Sequence, residues 1–265
     1  MAHASSLDPY VDRASPVHAL DARVKLLLTL ALVLAVALIP AGRWLPLAAS
    51  AALLWWAVLR SAVGPALILR RAFIAAPFAF AALTLVFTRP GTPIIALSFG
   101  PVALTATDAG LIAFLSVILK TWLSVQAALL LMATSRFTEV LGALRSLGLP
   151  AILVTMLGAA YRYVFVLVDE AERMLRARES RAAAMPGRRA GRSLVWRARV
   201  LGGIIGALFL RAYARSERIH AAMLSRGYTG EWRSLPARPL ASSEQGVLIT
   251  GVALLAAIVW LAYRP

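Results

Sequence analysis

Two arginines, Arg181 and Arg226, stand at the ends of matching strings, and their type and spacing offer the sharpest chemistry in this chain. Glu172 to Ala182 reads ERMLRARESRA, and Glu217 to Gly227 reads ERIHAAMLSRG. Glu, Arg, Ala, Ser and Arg coincide, Met answers Ile, and Ala answers Gly. A guanidinium is a planar fork of five donors that suits carboxylates and backbone carbonyls. The small residue after it, Ala182 or Gly227, lets a helix end approach another surface and turn away. An arginine in the last turn also complements the helix dipole, which accounts for one such residue without any partner. Two equivalent ends, Ser180-Arg181-Ala182 and Ser225-Arg226-Gly227, instead favour docking to two similar partners. Glu172 and Glu217 fit a supporting role, paired with Arg173, Arg176 or Arg218 on the same helix faces rather than acting as acids.

Catalysis finds little support among the other residues. The chain has no cysteine, so disulfides, thiolate metal sites and cysteine nucleophiles are excluded. It carries no Walker A string, no nucleophile elbow, no HExxH and no pair of Asp-rich motifs of the kind magnesium-dependent prenyl chemistry uses. His3, His18 and His220 are scattered without ligand spacing. His3 has one distinct possibility, since a free amino terminus beside an imidazole chelates nickel or copper. The expectation is a chain that is not an enzyme and holds no metal or cofactor of its own. Lys120 falls within an apolar run, where a charge is costly and points into a bundle or cavity. It reads either as a polar contact on a transport path or, preferred, as a locally paired lysine.

The elements that must position these residues follow from composition. Of 265 residues, 60% are hydrophobic and only 15% charged, far from the balance of a soluble domain. Five runs read as membrane-crossing helices: Val24 to Ile39, Leu45 to Leu59, Ala72 to Phe87, Ala109 to Met132, and Gly246 to Ala262. Pro77 should bend the third. Trp44, Trp55, Trp56 and Trp260 lie near run ends, where indole prefers the interface. The acidic residues ahead of Val24 make a poor signal-peptide n-region, so the first run reads as a retained helix.

The net charge is +16, and nearly all of it is arginine. Arg136 to Glu244 holds eighteen arginines against eight acids, or +10 of that total. The positive-inside rule places this block in the cytoplasm. With the N-terminus also inside, Arg60, Arg70 and Arg71 fall on the same side, opposite Arg43 and Arg89. Were the sixth apolar run, Ala151 to Val168, to cross fully, the arginine-rich stretch behind it would emerge outside. Pro150 to Arg181 is therefore expected as one long helix along or dipping into the inner face, and Leu194 to Arg226 as a second. The stripe of that second helix runs Leu201, Ile204, Ile205, Leu208, Ala212, Ile219 and Met223. Met185 to Gly191 is the break between them. Thr138 to Leu147 should form a short helix capped by Thr138. The small residues Gly202, Gly203 and Gly206 permit a close helix crossing. The fold class is all-α: a polytopic membrane protein of about five transmembrane helices with a cytoplasmic module of two long crossed amphipathic helices. Its divisions are 1–134, 135–245 and 246–265.

Three segments resemble a known family in order along nearly the whole chain: the transmembrane T component of energy-coupling factor (ECF) transporters. SPVHALDARVKLL (Ser15 to Leu27) resembles the family's entry into its first helix. TEVLGALRSLGLP (Thr138 to Pro150) with YRYVFVLVDEAERMLRARESRA (Tyr161 to Ala182) resembles its first coupling region, and SERIHAAMLSRGY (Ser216 to Tyr228) its second. The opening LDPYVDRASPVHALD is similar to the cobalt/nickel branch, the CbiQ type. The resemblance implies a non-catalytic scaffold in the bacterial inner membrane. It would join two cytoplasmic CbiO-like ATPase subunits, which bind ATP and Mg, to a CbiM-like substrate-binding membrane subunit and a small CbiN-like subunit, for cobalt or nickel uptake. It also implies that Ser180-Arg181-Ala182 and Ser225-Arg226-Gly227 each enter a groove on one ATPase. Where the family commonly has Gly after the first arginine, this chain has Ala182.

Other classes fit less well. A self-sufficient ABC-type permease would need a ligand cluster in the spans, and a polytopic enzyme acting on lipid would need acidic metal ligands at the interface. Nucleic acid is not an expected partner, because the basic residues lie on amphipathic helices with no binding motif. Membrane lipid is.

Overall fold

The computed structural model describes residues 9–99, 102–181, 194–229 and 239–264. It divides into two compact units, one of 9–143 with 237–265, the other built on 144–236. The chain is an all-α polytopic membrane protein, as its apolar runs predict.

The first unit begins with α1 (Pro16–Ala19), α2 (Ala22–Leu38) and α3 (Trp44–Arg60). Ser15 and Asp21 cap α1 and α2 by accepting the amides of His18 and Arg23 at 3.2 and 2.8 Å. His18 is held locally, its ring nitrogens against Ser15 Oγ and the Val11 carbonyl. The third apolar run is broken rather than gently bent. It forms α4 (Pro65–Ala72), a 3-10 turn at Phe73–Ala75, α5 (Ala76–Ala82) and α6 (Thr84–Thr88). Pro77, the second residue of α5, has no amide to donate and in a continuous helix would clash with the carbonyl four residues back, at Phe73, where the 3-10 turn begins.

One feature departs from an all-helical reading. Pro93–Phe99 (β1) and Val102–Thr107 (β2) pair as an antiparallel hairpin with a register irregularity between Pro93 and Ile95. Both runs are rich in β-branched and aliphatic residues, and in sequence they pass for a linker between spans. Thr107 then caps α7 (Asp108–Thr134) through the Gly110 amide. Gly110 must be glycine, because a Cβ there would stand 2.6 Å from the Val86 carbonyl of α6.

The unit closes with α11 (Ser242–Tyr263), and α2, α3, α7 and α11 share one apolar core that includes Val36, Leu54, Val58, Leu123, Leu130 and Leu255. The two lysines of the chain fasten α2 to α7 from both ends. Lys25 donates to the Thr134 carbonyl at the end of α7, at 2.8 Å. Lys120, on α7, donates to the Ala37 and Ile39 carbonyls at the end of α2. Tyr263 completes that cap by donating to the Leu38 carbonyl at 2.8 Å. A helix end leaves its last carbonyls without intrahelical partners, so these side chains satisfy groups that would otherwise be costly in an apolar medium. Lys120 is thus the locally paired lysine.

The second unit holds two long helices, α9 (Ala151–Arg181) and α10 (Leu194–Ser225). The helix leading in, α8 (Phe137–Ser146), starts one residue ahead of Thr138. Its first free amide group, at Arg136, is taken by the Glu139 carboxylate at 3.3 Å, so Glu139 rather than Thr138 makes the cap. Among the described residues, four helical stretches are long and apolar enough to cross a membrane: Pro65–Thr88, Asp108–Thr134, Ala151–Ser180 and Ser242–Tyr263. The 17-residue α2 and α3 are shorter, about 25 Å each at the helical rise.

Candidate functional site

The two arginine-bearing helix ends are built alike where both are described. Ser180 donates its hydroxyl to the Ala177 carbonyl at 3.0 Å, and Ser225 donates to Ala222 at 3.0 Å. Each serine thus ties off its own last turn and leaves the following arginine at the very tip. Arg181 is the final residue of α9. Ala182 and the Met185 to Gly191 break lie outside the described residues, as does His3.

At the second tip the chain stops by a fully formed Schellman turn. The Tyr228 amide donates to Met223 and the Gly227 amide to Leu224, both at 3.0 Å. Gly227 holds φ at +77°, a left-handed conformation that side chains resist. Arg226 is exposed on the residue before that turn. The glycine in the string therefore has a structural duty, presenting Arg226 at an abrupt end.

Glu172 accepts from Arg176 at 3.2 Å, one of the pairings its spacing predicts. Glu217 is exposed and makes no ion pair among the described residues. The carboxylate that matters most is one the sequence reading passed over, Glu170. It accepts from Arg173 of its own helix at 2.6 Å and from Arg211 of α10. Two guanidinium groups converging on one carboxylate pin α9 to α10 at this point. Arg178 further along α9 lies over the Trp196 ring of α10, 5.2 Å from its centroid. Since Glu170 meets Arg211 while Arg178 meets Trp196, the helices run antiparallel. Only the unusual density of guanidinium groups around Asp169-Glu170 hinted at the pin in sequence.

Antiparallel packing fixes where the tips go. Arg181 is eleven residues beyond the pin on α9, about 16 Å, and Arg226 is fifteen beyond it on α10, about 22 Å. The tips leave the crossing in opposite directions. Gly202, Gly203 and Gly206 do not make this crossing. Nothing lies within 4 Å of where their Cβ atoms would stand, and the α9–α10 cleft is lined instead from Leu210 to Arg218. The predicted α10 stripe is half-buried at Ile204, Leu208, Ala212, Ile219 and Met223, whereas Leu201 and Ile205 are exposed. On α9, no residue in its apolar window is fully buried, and Ile152, Leu153, Met156 and Leu157 form an open apolar face.

A chain with this order of helices and these paired tips has known relatives. The CbiQ family of cobalt transport proteins matches residues 13–236. The chain belongs to that family. It is 31% identical over 253 residues to the energy-coupling factor transporter transmembrane protein EcfT of Heliobacterium modesticaldum, covering 92% of each. It is 30% identical over 185 residues to the cobalt transport protein CbiQ of Rhodobacter capsulatus, covering 69% of this chain and 73% of that one. An uncharacterized protein of Methanocaldococcus jannaschii is 30% identical over 173 residues, and the matched part spans 57% of that relative's length. Among the described residues of this CbiQ-family chain, no three His, Asp or Glu side chains stand together as a metal-binding group.

Proposed function

We propose that the chain is the transmembrane coupling subunit of an ECF-type importer. In this reading it links ATP hydrolysis by two cytoplasmic CbiO-like ATPase subunits, which hold the ATP and Mg, to inward transport of cobalt or nickel through a CbiM-like membrane subunit with a CbiN-like companion. The bacterial inner membrane is its place, with the N-terminus and the α9–α10 unit in the cytoplasm. The chain itself performs no catalysis.

The observation that carries the reading is the pair of tips. Ser180-Arg181 and Ser225-Arg226-Gly227 end two antiparallel helices that are pinned to each other at Glu170 and Arg211. A pinned pair of helices with an arginine closing each one suits a pair of motor subunits that close and open together. Closure moves the tips, the pin at Glu170 makes the two helices respond as one, and the open apolar face of α9 passes the motion to a neighbour in the bilayer. This is a two-state mechanical element biased by ATP. The net charge of +10 between Arg136 and Glu244 supports the cytoplasmic placement and an α9 that lies along the inner face without crossing.

Co-expression with the cognate ATPase subunits tests this directly. Arg226→Glu should insert into the membrane at parental levels and fail to co-purify the ATPases. Arg181→Glu should behave the same way, with a milder loss. Undiminished recovery of both ATPases with both variants would refute docking through the tips.

A further inference from the structure

We propose that the cleft between α9 and α10 binds the phosphate headgroup of an anionic phospholipid. The cleft has a volume of about 410 Å³ and lies wholly within the second unit. Val166, Leu167 and Leu210 give it an apolar lining, and Arg211, Arg215 and Arg218 line it from α10. These three arginines are spaced i, i+4 and i+7, so they share one helix face. The carboxylate that lines the cleft, Glu170, is already engaged by Arg173 and Arg211. Arg215 and Arg218 are exposed and form no ion pair with any described residue. The site therefore offers two uncommitted guanidinium groups above an aliphatic lining. That combination matches a molecule with a phosphate at one end and a hydrocarbon chain at the other better than it matches a free anion.

Guanidinium forks donate to phosphate oxygens in bidentate fashion. Basic side chains at the cytoplasmic leaflet also draw anionic lipid from the bilayer. A lipid held here would fasten the helix crossing to the leaflet while leaving both tips free. The inference uses one part of the proposed function, the placement of α9 and α10 at the inner leaflet. ATPase docking is separate from it.

The full chain, purified in nonionic detergent, is titrated with phosphatidylglycerol, phosphatidylcholine and inorganic phosphate, with bound lipid counted by native mass spectrometry. Phosphatidylglycerol should bind saturably and phosphatidylcholine should not. The Arg215→Gln/Arg218→Gln double variant should weaken phosphatidylglycerol binding about tenfold or more, the scale expected when two arginines leave an anionic surface. Arg199→Gln, on the same helix outside the cleft, should bind like the parent, which separates the site from net charge. Circular dichroism confirms that the double variant keeps its helices. Parental binding by the double variant would overturn the proposal, as would equal competition by inorganic phosphate. So would a double variant that binds lipid normally but loses the ATPases, which would mark the cleft as a protein contact. Arg226→Glu provides the converse arm: it should lose the ATPases and keep the lipid.

Discussion

Gly227 shows how much of the tip is settled by one residue. Its positive φ closes α10 through two backbone hydrogen bonds, and Arg226 sits at the boundary because of that closure. Gly227→Ala places a Cβ in the left-handed region, at a cost on the order of 1 kcal/mol. We expect faster amide exchange at Tyr228 and Gly227, whose donated bonds make the turn, with the body of α10 unaffected. Gly227→Asn should exchange more slowly than the alanine variant, since Asn tolerates this conformation. Equal exchange in the parent and both variants would mean that the turn does not depend on glycine. The strings themselves were plain in the sequence, and so was the pairing of Glu172 with a nearby arginine. Less plain was the use of Lys25 and Lys120. Their scarcity marked them as unusual, but a one-dimensional pattern cannot say which carbonyls a long side chain will reach. The structure puts each at the opposite end of an antiparallel helix pair, a relation that exists only after α2 and α7 have packed.

Two long amphipathic helices were legible from periodicity, with bounds within a residue of those observed, because their apolar stripes are continuous and no proline interrupts them. Their crossing was not. The string of Gly202, Gly203 and Gly206 suggested a close approach there, yet the contact forms at Glu170 and Arg211, where charge rather than small size decides the register. The hairpin at 93–107 escaped notice for a related reason: short β-branched runs beside prolines look like linker until they find each other. The crossing has a measurable consequence. Spin labels at Ser180 and Ser225 should report a separation on the order of 30–40 Å, from the helical rise on either side of the pin. Arg211→Ala should broaden that distribution while leaving helix content unchanged, since exposed ion pairs add little stability but do fix geometry. A narrow, unshifted distance in Arg211→Ala would show that Trp196 and Arg178 hold the angle without the pin.

For the whole molecule the decisive matter is which side of the bilayer the second unit occupies, and length and composition leave that open. The Ala151–Ser180 stretch is apolar enough to cross, yet crossing would carry the ten arginines from Arg181 to Arg226 beyond the cytoplasm. Translocating that charge conflicts with the bias that orients membrane proteins, whereas a helix along the inner face satisfies it with the same residues. The absence of cysteine from the chain makes the choice accessible, because a single introduced thiol has no background. Glu217→Cys lies on an exposed part of α10, one helical stretch ahead of the Ser225-Arg226 tip. In intact cells it should resist a membrane-impermeant maleimide and react fully once the cells are opened. A thiol at Thr92, exposed just ahead of the hairpin between α6 and α7, should show the reverse, since the same topology puts that loop outside together with Arg89. Two opposite results from one reagent fix the orientation of both units. Labelling of Glu217→Cys from outside would invert the arrangement and leave no cytoplasmic end for an ATPase to grip.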